Sequence, residues 1–127
     1  MKRVVVDSGI ILGWFTGAAG AARSMRAEYE RGQLTVVAPR SLPFEILAAC
    51  AAAPGWTAGR LAKLAAELDR LGLELRDPPT SELAAWLARG LGGPDAAYAA
   101  LATALAIPLV TTDPELLRTA GTVARLP

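Results

Sequence analysis

The chain contains no histidine. It therefore lacks both the side chain that titrates nearest neutrality and the commonest zinc ligand. A single cysteine, Cys50, excludes an internal disulfide and a cysteine-rich zinc site. On its alanine-rich segment, Cys50 reads as a small buried apolar residue. Lysine is scarce: Lys2 and Lys63 stand alone, and arginine supplies the other cations. A surplus of charge is missing too, since 13 Lys and Arg against 12 Asp and Glu leave a net charge of +1. A generally basic nucleic-acid binder is thereby excluded. If RNA is the substrate, its attraction has to come from a local patch of arginines, whose planar fork suits phosphate.

Long hydrophobic runs are also absent. Ala96 to Thr112 is uncharged, but it is bounded by Asp95 and Asp113, interrupted by Pro108, and at the low edge of the ~20 residues that a spanning helix needs. Lys2-Arg3, an apolar stretch and then Ala18-Ala19-Gly20-Ala21 mimic a signal peptide. Asp7, however, lies inside the would-be hydrophobic region. The expectation is a soluble, cytoplasmic protein with no membrane partner.

What is present is enough for a core. With 127 residues, 53% hydrophobic and 20% charged, the chain is expected to fold as one domain, 1–127, without staples. β-branched and apolar runs predict strands at Arg3–Val6, Leu34–Ala38, Gly72–Leu75 and Pro108–Thr111, with a last edge strand at Thr122–Ala124. Between them the pattern predicts helices over Ile10–Phe15, Ala18–Arg31, Pro39–Ala53, Thr57–Leu71, Ser81 or Thr80 to Arg89, Asp95–Ala106 and Pro114–Ala120. Solid apolar strands alternating with helices predict an α/β fold: a mainly parallel twisted sheet of four to five strands with helices on both faces. Ligands of such sheets sit beyond the carboxyl ends of the strands. Asp7 and Asp113 each follow a predicted strand and are expected to converge there.

Most of the 12 acids share helix faces with cations or flank strand ends, as solvated charges do. Four stand apart. Asp7, after Val4-Val5-Val6, reads either as a helix N-cap or as a site residue. Asp113, before Pro114, reads as an N-cap, or Thr112 and Glu115 form a capping box, or it belongs to the site. Glu45 shares its helix face with Leu42, Ala48 and Ala49 and has no cation three or four residues away, so a metal or a distant arginine has to compensate it. Asp95 reads as an N-cap after the Gly92-Gly93-Pro94 loop or as a site residue, since the helix behind it is almost wholly apolar and its first turn is expected to abut the sheet edge. Four carboxylates at one edge repel, and a divalent cation resolves the repulsion. With no histidine, all protein ligands are oxygens, which favours Mg²⁺ or Mn²⁺. Metal-assisted in-line attack of water on phosphorus is chemistry that needs no histidine. Trp14, Phe15, Trp56 and Trp86 read as core, or as a surface for a partner.

Val4-Val5-Val6-Asp7-Ser8, Leu42-Pro43-Phe44-Glu45-Ile46-Leu47, and Asp95-Ala96-Ala97-Tyr98-Ala99-Ala100-Leu101-Ala102 followed by Ile107-Pro108-Leu109-Val110-Thr111-Thr112-Asp113 together resemble the PIN domain family. Within it, the order and spacing over nearly the whole chain resemble a VapC-type toxin ribonuclease. The resemblance implies a twisted parallel sheet of about five strands and Mg²⁺- or Mn²⁺-dependent endonucleolytic cleavage of RNA. Asp7, Glu45, Asp95 and Asp113 are implied as catalytic metal ligands, and Ser8 and Thr111 as polar helpers. A homodimer and a cognate antitoxin that reaches into the site are implied as well.

Three other readings compete. A housekeeping RNA-processing nuclease of the same fold differs only in lacking an antitoxin. A phosphoacceptor receiver domain needs paired acids after the first strand and a lysine after the last, whereas Ser8 follows Asp7 and no lysine lies beyond Lys63. A non-catalytic binding module has no use for all four acids.

Overall fold

The computed structural model describes residues 2–17 and 20–127. Five strands, β1 (Lys2–Val6), β2 (Leu34–Pro39), β3 (Glu74–Arg76), β4 (Leu109–Val110) and β5 (Ala124–Arg125), form one sheet in the order β3-β2-β1-β4-β5. Every pairing is parallel. Among the described residues seven helices connect them: α1 (Ser8–Thr16), α2 (Ala21–Glu30), α3 (Leu42–Ala52), α4 (Ala58–Leu71), α5 (Thr80–Ala88), α6 (Gly93–Leu105) and α7 (Pro114–Thr119). Right-handed crossovers place α1–α4 on one face of the sheet and α5–α7 on the other.

The strands form where β-branched residues cluster and both faces are covered. Val5, Val6, Val37 and Leu109 are fully buried, as expected of a parallel sheet between helical layers. α6 packs on β1 and β2 through Ala96, Ala99, Ala100 and Ala102, none of which is exposed. Small side chains let its backbone approach the sheet closely. α4 has the ends its sequence predicts: Thr57 Oγ1 accepts from the Arg60 amide at 3.1 Å, and Gly72 adopts the left-handed conformation that stops the helix.

Several boundaries moved. Pro39 ends β2 rather than starting a helix, because its carbonyl side still pairs with β3. α6 starts at Gly93, so Asp95 lies in its first turn instead of capping it. The expected helix start at Ala18 falls outside the described residues; the helix that follows begins at Ala21. Trp14 and Trp86 belong to the core, with their indole N–H groups donating to Ala22 O and Thr103 Oγ1. Phe15 and Trp56 are half-buried, with the guanidinium groups of Arg26 and Arg60 lying over their rings. Cys50 is buried and free, as its setting predicts.

Strand order carries the functional consequence. From the central β1 the chain runs outward to β2 and β3, then crosses to β4 and β5. The direction of winding reverses between β1 and β4, and in open parallel sheets ligands bind beyond the strands' carboxyl ends at such a point. α6 packs against β1, β2 and β4 beside that point. Leu101→Ala, at a site 1% exposed, is expected to cost about 2–5 kcal/mol of unfolding free energy, read by urea denaturation.

Candidate active site

Asp7 follows β1, and Thr111 and Asp113 follow β4. The reversal point thus brings together residues more than a hundred positions apart. Thr111 is completely buried. Its hydroxyl donates to Asp7 Oδ2 at 2.8 Å and accepts from the Asp113 amide at 3.0 Å. One threonine therefore fixes both strand-end acids.

The two acids differ in what else they do. Asp113 is an N-cap: its Oδ1 accepts from the Glu115 amide at 2.9 Å, and Pro114 occupies the first turn. The alternative capping box from Thr112 and Glu115 does not form, because Asp113 takes the Glu115 amide itself. Asp7 occupies an N-cap position, and its carbonyl accepts from the Ile10 amide, but its carboxylate makes no capping bond. That carboxylate is held chiefly by Thr111, with lesser help from the Ser8 and Gly9 amides at the start of α1.

Glu45, in the first turn of α3, is half-buried. Its neighbours Ala48 and Ala49 are exposed, so the face is apolar but not sealed as its composition predicts. Ser41 Oγ donates to Glu45 Oε2 at 2.7 Å. Asp95 is half-buried in the first turn of α6. Among the described residues, none of the four acids has a salt-bridge partner.

Electrostatics tie the four together. Burial pushes Asp7 above the ordinary carboxylate range; the Thr111 hydroxyl opposes this and the Asp113 charge adds to it. Burial also raises Glu45, against the Ser41 bond and with the help of the Asp7 charge. Asp95 moves furthest, pushed up to about 6 by burial and then by the charges of Asp7, Asp113, Glu115 and Glu45. The other three acids singled out in the sequence thus all act on Asp95. Like charges gathered without cations mark a functional site more often than a structural one.

The sequence reading missed Ser41, Glu115 and Tyr98. Glu115 adds a fifth charge beside Asp95. Tyr98 is 1% exposed, and its hydroxyl has no hydrogen-bond partner of ordinary geometry. Burial and then the Glu45 charge raise its pKa further above its ordinary value, and Ser8 lies within reach. An unpaired buried hydroxyl costs about 1–3 kcal/mol. The signal was a polar group inside the apolar run Ala96–Ala102, hidden because tyrosine so often fills cores.

The matching family profile is that of the PIN domain, over residues 4–122. The chain belongs to the PIN domain family. PIN domains are generally nucleases. The crystal structure of PAE2754 from Pyrobaculum aerophilum is similar over 93% of this chain and 84% of that one, with 24% identity and a TM-score of 0.65. That of FitAcB from Neisseria gonorrhoeae is similar over 95% of each chain, with 14% identity and a TM-score of 0.69. At such identities the two share the PIN fold with this chain. Sequence comparison with curated proteins gives no match. Among the described residues no helix is long and apolar enough to cross a membrane.

The donor set of this PIN domain fits a hard divalent cation: carboxylates and hydroxyls only, unpaired with any salt-bridging cation. Among the described residues, no three acidic groups are close enough to hold a metal in the side-chain orientations they adopt.

The raised pKa of Asp95 has a consequence for stability. The folded protein binds this proton more tightly than the unfolded chain does. The stabilisation is therefore complete below about 3.8 and lost as pH rises through about 6. Metal-free Asp95→Asn is expected to melt above the wild type at about pH 7, with the gap closing below about pH 4. Thermal melts across that range measure it.

Proposed function

We propose that this chain is a Mg²⁺- or Mn²⁺-dependent endoribonuclease, folded as a single nuclease domain over residues 1–127. One observation carries the reading: burial, and then the charges of Asp7, Asp113, Glu115 and Glu45, raise Asp95 to about 6, with no salt-bridge partner for any of the four acids among the described residues. Asp7, Glu45, Asp95 and Asp113 are the metal ligands and catalytic acids in this reading, and Ser8 and Thr111 the polar helpers. The chemistry supplied by such an ion when bound is acidification of a water and neutralisation of charge on the phosphoryl transition state.

The chain's own residues do the positioning. Thr111 holds the Asp7 carboxylate and the Asp113 backbone in one geometry. Ser41 holds one oxygen of Glu45. Asp95 holds its proton to about 6, through burial first and then the neighbouring carboxylates, and positive charge beside it would favour its ionised form. Arg40 and Arg76 emerge beyond β2 and β3 at the same edge. They are exposed, and each lies near a carboxylate, Asp77 at 3.4 Å and Glu74 at 2.8 Å. They are the local arginines that a chain of net charge +1 needs for phosphate.

Within this reading the motif order places the chain with VapC-type toxins: cytoplasmic, homodimeric and restrained by a cognate antitoxin. A housekeeping processing nuclease shares the site but not the restraint. Inhibition by a small protein encoded beside this chain separates the two.

Total RNA incubated with the protein and Mg²⁺ or Mn²⁺ tests the chemistry. Cleavage is expected, with loss on chelation. Asp7→Asn and Asp95→Asn are each expected to lose more than ~100-fold, since altering even a group behind a metal ligand costs ~10–100-fold. Equal activity in all three proteins overturns the four-acid mechanism. Arg40→Ala is expected to raise KM and to flatten the salt dependence of binding by about one phosphate contact.

A further inference from the structure

Tyr98 sits in the middle of the element that holds the site together. Its neighbours on α6, Ala96, Ala99, Ala100, Leu101 and Ala102, are buried and apolar. A phenylalanine fills the same space without leaving a hydroxyl unpaired. The oxygen is nevertheless there, and two polar groups lie within its reach: the Glu45 carboxylate and the Ser8 hydroxyl. It meets neither with ordinary hydrogen-bond geometry. Glu45 already receives Ser41 on Oε2. A carboxylate has lone pairs for a second donor, and a phenol has one proton to give and can accept one in return.

We propose that the Tyr98 hydroxyl is the positioning group for Glu45, turning its carboxylate toward Asp7 and Asp95; this rests on the nuclease reading above. Tyr98 donates to Glu45 and accepts from Ser8. Ser41 and Tyr98 then clamp the same carboxylate from two helices, α3 and α6, and leave its remaining lone pairs facing the other acids. The bond costs nothing in packing, because the ring is already locked by the core. It also explains why α6 carries a polar atom where its apolar surroundings disfavour one. Tyr98 acts through Glu45 and is not itself a ligand.

Direct titration with Mn²⁺, read by electron paramagnetic resonance, tests this. Tyr98→Phe is expected to melt at or above the wild-type temperature without metal, while its Mn²⁺ affinity falls about 10-fold. In a Glu45→Gln background the same substitution is expected to change affinity little. Equal affinity of Tyr98→Phe and wild type overturns the proposal, as does a loss of the same size in both backgrounds. A metal-free measurement stands beside it: a protected Tyr98 hydroxyl proton in the NMR spectrum of the wild type, lost in Glu45→Ala. If the wild type binds no Mn²⁺, the metal reading fails, and this proton alone decides: its loss in Glu45→Ala supports the clamp, its absence or persistence overturns it.

Discussion

Carboxylates held at one sheet edge repel one another, and the fold must keep them there. Two unit charges a few ångströms apart interact by about 4 kcal/mol at a protein surface, comparable to a good part of a small domain's net stability. Here the opposing force is packing. Val5, Val6 and Leu109 are fully buried in adjacent strands, so the backbone leaving β1 and β4 has no freedom to splay. Asp7 and Asp113 depart from that rigid edge, and buried Thr111 ties them to one hydroxyl. Asp95 is pressed in from the opposite layer by a helix whose alanines lie flat on the sheet.

The acids share the strain unequally. Asp113 spends part of its charge on an amide at the start of α7, an interaction that any helix N-terminus favours. Asp7 has its threonine and Glu45 its serine. Asp95 has no such partner among the described residues; burial, and then four other carboxylates, push it up to about 6. One acid is thus raised to about 6 beside Asp7 and Glu45, which are also raised by burial. Such destabilisation is common where function, rather than folding, selects the residues.

Two helices from opposite layers supply the rest. α3 brings Glu45 with Ser41, and α6 brings Asp95 with Tyr98. Neither helix carries another charged residue, so nothing competes locally for the carboxylates. The cost is an apolar α3 surface, with Phe44 largely exposed beside Glu45.

Much of this was legible in the chain itself. β-branched runs ending in acids at Asp7 and Asp113 mark strand ends by local propensity alone. Glu45 and Asp95 stood out because helices otherwise apolar carry a charge only for a reason. The absence of histidine confined any metal to oxygen ligands. Other features needed three dimensions. Whether Asp7 caps α1 or faces Thr111 depends on a strand about a hundred residues away, and no local pattern encodes that pairing. The strand order, which puts the reversal of winding between β1 and β4, follows from the packing of helices on both faces rather than from any segment. Tyr98 looked like core, because a ring buries identically whether its hydroxyl is useful or not. Local sequence determined which residues are acidic, extended or helical; only the tertiary fold decided which of them meet, because charge repulsion, burial and hydrogen bonding act across space and not along the chain.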